Sequence, residues 1–499
     1  MRARTKSYRS ATERSAEPKR LLAVEDRILS KEACDAIARR VFAFAQGGGE
    51  TWVQIGSWTR GELRWARNRV SLASDRRDVV IAITRFMPSA GLGEVSTNQL
   101  DDESLEAAVR AAERIAAATH SSSRATPGLP PQPVATWPKT AIWSDATYAM
   151  SAETRGEIAR SVIEPAEAKG YLSAGYIEQH AGAIMRVSSE RPAGPYAVVD
   201  RPYVQWTQAQ CSMTVRDQQG AGSGWAGLSS YDWQSIDPAS LGARALQKCE
   251  ASRNPVVLEP GRYTVILEAQ AVADLMRAVV ASMDRLQAES GGGPWPLAVD
   301  DVLRIGPQPV WRTKLGLKVI DERITIDHDP SDPRLGILPD PWMEPVTFFD
   351  KGVLTNLFYD REYALAYLGK NAPRRGMSGY RMSGGTTSVE EMIASTQRGL
   401  LVTRFTDIRG LDGGSLLCTG LTRDGLWLIE HGKISKAVKN LRFTESPLFV
   451  LNSSEQLGVP VPVFRPVRDA YEQRVPLTPA IVPPLKARDF SFTSTIDAI

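Results

Sequence analysis

Residues 121–140, SSSRATPGLPPQPVATWPKT, constrain the fold more than any other stretch of the chain. Proline removes a backbone donor and fixes φ, and the serines favour local turns, so neither a helix nor a central strand persists through this segment. It reads as a linker. The chain is thereby divided, and at 499 residues it is too long for one ordinary core in any case.

Before the linker, 30–45 (SKEACDAIARRVFAFA) set Cys34, Ile37, Val41 and Phe44 on one face behind a Ser30 cap, the pattern of an amphipathic helix. Short β-favouring runs follow at 51–58, 62–70, 77–86 and 92–97, which read as a meander. At 102–118, Leu105, Ala108, Val109, Ala112, Ile115 and Ala116 form one stripe, a helix expected to cover that sheet. After the linker a helix is expected at about 151–168, then strands at 171–178, 182–188, 196–206 and 209–216, then a helix at 237–251. From 255 onward strands dominate, with helices at 269–289, 360–368 and 388–398, the last headed by a Ser388/Glu391 capping box. The expected organisation is therefore a basic arm (1–22), an α+β domain (23–120), the linker (121–140), a central α+β domain (141–252) and a mainly β domain (253–499).

Composition excludes several function classes. Lys plus Arg number 60 against 57 Asp plus Glu, a formal net charge of +3 too weak and dispersed for a nucleic-acid surface. No stretch approaches the roughly 18–20 apolar residues of a membrane span. The first twenty residues hold seven Lys/Arg but no apolar signal core, and read as a disordered arm, with an Arg/Ser-rich transit peptide as the alternative. Cys34, Cys211, Cys249 and Cys418 match neither a metal spacing nor a disulfide framework, which fits a reducing, cytoplasmic setting.

Chemical motifs are sparse. His120, His180, His328 and His431 include no pair at helical spacing, so no local two-histidine metal site exists, and each reads as a surface or hydrogen-bonded residue. His431-Gly432 lies between two β-like runs and reads as a hairpin turn tolerant of positive φ. QGGGE, GAGSGWAG and ESGGGPW lack both the phosphate-loop and the dinucleotide patterns, and no G-x-S-x-G elbow is present. What remains is VVLEPGRYTVILEAQAVADLM at 256–276, a strand running into a helix with Glu268 at the junction. A zinc hydrolase can use such a helix to present two ligands and a base on one face. Here that face offers Glu268, Ala269, Val272 and Ala273, of which only Glu268 has a ligating atom.

Several stretches together resemble the TldD/PmbA family: LRWARNRV at 63–70, VVIAITRF at 79–86, GEVSTNQLDDESLEAAVRAA at 93–112, MTVRDQQGAGSGWAG at 213–227, VVLEPGRYTVIL at 256–267, DKGVLTNLFYDREYA at 350–364, MSGGTTSVEEMI at 382–393 and GLWLIEHGKI at 425–434. The resemblance covers roughly 25–495. It implies an α+β protein with an N-terminal α/β sheet-and-helix lobe followed by a large, mainly β C-terminal lobe. In TldD-type members an H-E-x-x-x-H zinc motif follows the LEPGR-like turn, and a cysteine near the C-terminus adds the third ligand. Laid on this chain, the first ligand position falls on Glu268, the base position on Ala269 and the second ligand position on Ala273, so all three depart from the motif. The terminal stretch 451–467 has no cysteine, and Cys418, some 35 residues earlier, reads as an interior residue.

The resemblance thus implies a TldE/PmbA-like subunit that carries no catalytic or metal residue of its own. It pairs with a TldD-like metallopeptidase subunit that holds the zinc, and the pair cleaves unfolded or leader peptides. Glu268 is then expected to make a structural or interface contact. Two alternatives stay open: a metallopeptidase with an atypical site built from Glu268, His180 or His328 and a water, and a homodimeric peptide-binding module. Direct DNA contact, which older family labels on gyrase modulation suggest, has no support in the charge. The substrate-binding residues are not legible.

Overall fold

The computed structural model describes residues 28–46, 48–87, 91–119, 142–189, 201–217, 222–297, 302–305, 308–337, 344–369, 376–465 and 479–496. The expected basic arm (1–22), the linker (121–140) and His120 lie outside the described residues.

The N-terminal lobe contains α1 (Lys31–Phe44), β1 (Glu50–Ala66), β2 (Arg69–Phe86), β3 (Leu92–Thr97), α2 (Asp102–Ala118), α3 (Asp145–Ala149), α4 (Ala152–Ala168), β4 (Leu172–Ser188), β5 (Arg201–Arg216), β6 (Ser223–Ser230) and α5 (Pro238–Ala251). Its six strands form one antiparallel sheet in the order β3-β2-β1-β4-β5-β6. Strands from 23–120 and from 141–252 meet in it at the β1–β4 pairing. Period-two alternation puts the odd-numbered residues of β1 on one face, which two pairs of helices cover at opposite ends of the strands. Val53 and Ile55 pack under the apolar stripes of α1 and α2, while Leu63, Trp65, Ile177 and Cys211 pack under α4 and α5. The helices start where their caps dictate: the side chains of Ser30, Asp101, Ser151 and Asp237 each accept a backbone N–H of the first turn.

The strands are longer than the sequence runs suggest. Residues 59–61 and 179–181, polar enough to read as turns, continue β1 and β4. The reason is that Arg60, His180 and Gln208 lie opposite one another across β1, β4 and β5, as do Glu62, Glu178 and Gln210, and Arg60, Glu62, Glu178 and Gln210 pair with one another within the sheet. At the other end of the pattern, Arg67 and Asn68 both take positive φ, 52° and 62°, and make the two-residue β1–β2 turn.

The C-terminal lobe begins with β7 (Gly261–Leu267) and α6 (Ala269–Ala281). Strand Arg398–Asp412 pairs with β7, β7 with Leu485–Thr495, that strand with Leu441–Glu445, and Leu441–Glu445 with Leu417–Glu430. Leu417–Glu430 in turn pairs with Arg398–Asp412, so these strands close into a ring without a free edge. Phe405, Phe443, Phe490 and Phe492 cluster in its core together with Val265, Leu267 and the buried face of α6. Alternation sends Ile266 to the other side, against Met392 and Trp427. A second six-stranded sheet runs in the order Val353–Leu354, Val346–Asp350, Ile326–His328, Tyr380–Met382, Ala480–Val482, Val461–Pro462.

Two helices expected in this lobe differ in length. The span 269–289 breaks at Ser282, and Asp284 caps a separate short helix, Arg285–Glu289. The capping box at Ser388/Glu391 is present, but its helix ends at Ala394. His431 and Gly432 form the expected turn, with φ of 52° and 77°.

Candidate functional site

The β7–α6 junction places Glu268 at the N-cap of α6 with extended backbone, φ −61° and ψ 158°, its N–H donating to the Val402 carbonyl at 3.0 Å. The Glu268 carboxylate makes no capping hydrogen bond. It accepts instead from the Lys248 ammonium on α5, at 2.7 Å. Because α5 belongs to the N-terminal lobe, Glu268 ties the two lobes together. Other bonds run across the same boundary: Ser223 to Asp424 at 2.6 Å, the Trp427 indole N–H to the Ala251 carbonyl at 3.1 Å, and Arg404 over the Trp225 ring at 4.7 Å.

The other two motif positions are apolar and packed. Ala269 lies against the main core and Ala273 is fully buried. One turn of α6 carries polar groups that the sequence did not single out. Gln270 donates to Asp274 at 3.0 Å, and Asp274 accepts the Phe405 N–H at 3.1 Å. Burial raises the Asp274 carboxyl above its ordinary value, although Arg465, Gln270 and the Phe405 N–H oppose the rise. The Gln270 side chain also accepts the Phe464 N–H at 3.1 Å, and Arg465 Nη2 donates to the Ala273 carbonyl at 2.7 Å. The segment 461–465 is thus clipped onto the helix at the point where the family motif would place its second ligand.

A zinc site needs at least three converging donors. Alanine has none, and the one carboxylate present is occupied by an ammonium, so the donor set at 268, 269 and 273 does not fit zinc. The distant histidines do not complete it. His328 is buried in the C-terminal lobe with Nδ1 on the Gly379 carbonyl at 2.8 Å, and burial lowers its pKa. His180 is buried in β4, 3.4 Å from Glu178. Among the described residues no group of three or more His, Cys, Asp or Glu side chains is arranged to hold a metal ion. Cys418 is interior, its thiol donating to the Glu445 carbonyl at 3.2 Å and pushed up to about 11 by burial.

The densest charge cluster lies on the sheet of the N-terminal lobe. Arg60 reaches Glu62 at 2.6 Å and Glu178 at 2.7 Å, Arg64 reaches Glu178 at 3.2 Å, and Gln210 donates to Glu178. Burial would raise the Glu178 carboxyl, but the His180 hydrogen bond and the charges of His180 and Arg60 outweigh it and hold the group down to about 2. Every lone pair of this carboxylate is engaged, which suits a fixed structural anion better than a proton acceptor. The signal was present in the sequence as Arg60, Glu62 and Arg64 alternating with Leu63 and Trp65, a polar strand face.

Between the lobes lies a cleft of about 560 Å³, counted out to open solvent, bounded by β5 and β6 on one side and by 462–465 and 334–336 on the other. Ser229 fastens one end, its hydroxyl donating to the Arg465 carbonyl at 2.9 Å and accepting the Arg465 N–H at 3.2 Å.

Residues 260–494 match the model of the PmbA/TldA metallopeptidase C-terminal domain. That C-terminal stretch belongs to the TldD/PmbA family. Its fold matches that of TldE from Thermococcus kodakarensis with a TM-score of 0.70 at 16% identity, over 92% of this chain and 100% of that one. A candidate modulator of a DNA gyrase from Thermotoga maritima matches with a TM-score of 0.70 at 14% identity, over 92% of this chain and 100% of that one. Another candidate modulator of DNA gyrase, from Bacteroides thetaiotaomicron, gives 0.70 at 18% identity, over 94% and 100%. No curated protein matches the chain. The TldD/PmbA lobes expected from the sequence are those observed. No helix among the described residues is long and apolar enough to cross a membrane.

Proposed function

We propose that this chain is the non-catalytic, TldE-like subunit of a heterodimeric zinc metallopeptidase that cleaves unfolded or leader peptides. A TldD-like partner carries the zinc and the chemistry, and this chain supplies chamber wall and substrate contacts. The observation that carries the reading is the state of the three motif positions: Glu268 is spent on an inter-lobe ion pair with Lys248, and Ala269 and Ala273 are packed apolar residues. A member of this family without ligands of its own contributes to peptide hydrolysis through a partner that has them.

An extended peptide adds to an exposed sheet edge by main-chain hydrogen bonds, which gives affinity with little sequence demand. In this chain β6 and Val461–Pro462 are the terminal strands of their sheets, and residues of both line the inter-lobe cleft. The test is reconstitution with a TldD-like partner. Removing this chain is expected to lower cleavage of an unfolded peptide at least about tenfold, equivalent to about 1.4 kcal/mol of transition-state stabilisation. Undiminished cleavage by the partner alone would refute the proposal.

A further inference from the structure

Strand β2 has a neighbour on one side only for most of its length. Its residues 81–86 pair with both β1 and β3, whereas residues 69–80 pair with β1 alone. Residues 69–73 and 75–77 of that stretch are exposed, with Val70 at 54% and Leu72 at 41%. A strand with one neighbour presents a row of unpaired backbone N–H and C=O groups, to which a further strand can add.

Charge decides which strand fits. Arg67, Arg69, Arg76 and Arg77 are exposed and make no ion pair among the described residues. The neighbouring acids do not balance them: Asp75 is held by the buried Arg155 at 2.8 Å, and Asp78 is half-buried. Arg69, Leu72 and Arg76 lie opposite Ala66, Arg64 and Arg60, which are even-numbered residues of β1. Alternation therefore gathers Arg64, Arg69 and Arg76 around the exposed Leu72, on the sheet face away from the helices. Arginines along an edge repel a second copy of the same strand and attract an acidic one. A nucleic acid would meet the charge but neither the row of backbone groups nor Val70 and Leu72. An extended peptide matches all of these.

We propose that the free edge of β2, residues 69–80, binds an acidic extended peptide as an added strand, with its main chain on β2 and its carboxylates on Arg69 and Arg76. The site lies towards the β3 side of the sheet, whereas β5 and β6, which bound the inter-lobe cleft, lie on the other side. It uses none of the motif positions on α6 and stands whether or not the subunit reading does. It needs no metal and no partner, so it is measured on the full chain alone.

The probe is a fluorescein-labelled peptide of alternating Thr and Glu, about ten residues long, which spans most of that edge at roughly 3.3 Å per residue. Its twin carries Gln for every Glu, and both are followed by fluorescence anisotropy. At low salt the acidic peptide is expected to bind at least about tenfold more tightly than the neutral one, with the gap closing as salt rises. The double change Arg69→Gln, Arg76→Gln is expected to weaken the acidic peptide about fivefold to tenfold, and both side chains are exposed, so the fold tolerates it. Two N-methylated versions, one modified at the Thr amides and one at the Glu amides, read the main-chain pairing. Successive amides of a strand point to opposite sides, so one version is expected to lose at least about tenfold in affinity and the other to keep it. No binding, equal binding of the acidic and neutral peptides, undiminished binding by the double variant, or equal affinity of the two N-methylated versions would each overturn the proposal. Tighter binding of a single-stranded oligonucleotide of the same charge would also overturn it, by making the arginines a nucleic-acid surface.

Discussion

Arg60→Met is expected to destabilise the N-terminal lobe by about 3–5 kcal/mol, the usual cost of removing one partner from a buried ion pair. Arg60 lies between Glu62 at 2.6 Å and Glu178 at 2.7 Å, and all of them are less than a tenth exposed. Methionine keeps much of the volume and removes the charge. Two carboxylates are then left with Arg64, at 3.7 and 3.2 Å and half exposed, as their remaining arginine. Urea unfolding followed by tryptophan fluorescence measures the loss. The triple change Arg60→Met, Glu62→Gln, Glu178→Gln is expected to recover much of it, because the cost lies in the stranded anions and not in the missing side chain. A loss under about 1 kcal/mol for the single change would mean that the cluster is solvated and that its tight geometry has little energetic weight.

Phe490→Ala is expected to cost about 3–5 kcal/mol in the C-terminal lobe, with Phe490→Leu costing clearly less. Phe490 is fully buried. Its ring stacks on Phe405 at 5.7 Å with an interplanar angle of 7°, and lies 5.5 Å from Phe443 and 5.0 Å from Phe492. These residues come from three strands of the closed ring, Arg398–Asp412, Leu441–Glu445 and Leu485–Thr495. The ring has no free edge to slide along, so the cavity collapses poorly and the cost stays near the upper end. If alanine and leucine proved equally mild, the aromatic cluster would not be what holds the ring together.

Much of this fold was legible from local patterns. Helix stripes and caps located α1, α2, α4 and α5 within a residue or two, because each buries one face and begins at a side chain that accepts a first-turn N–H. The His431-Gly432 turn was legible for the same local reason. What the patterns missed is non-local. Arg60 and His180 suggested breaks in their strands, since a single sequence does not show that the polar groups of β1, β4 and β5 will lie opposite one another. Ring closure rests on pairings such as Gly399 with Thr264, which leave no mark on either segment.

The candidate site divides in the same way. The motif positions Glu268, Ala269 and Ala273 could be located because a strand, a turn and a helix follow one another in sequence. Lys248 could not be named as the partner of Glu268, because it reaches across from the other lobe. Ser229 and Arg465 carried no signal of their own, and only the meeting of the lobes puts them in one cleft.

The central claim is that zinc and chemistry belong to the partner, and the most direct measurement is the zinc content of the purified chain, expressed alone and exhaustively dialysed, by elemental analysis. The account predicts a stoichiometry near zero, unchanged by Glu268→Ala, since that carboxylate holds Lys248 and its helix offers no further ligand at 269 or 273. One tightly held zinc per chain, lost on Glu268→Ala, would contradict it and make this chain an enzyme in its own right.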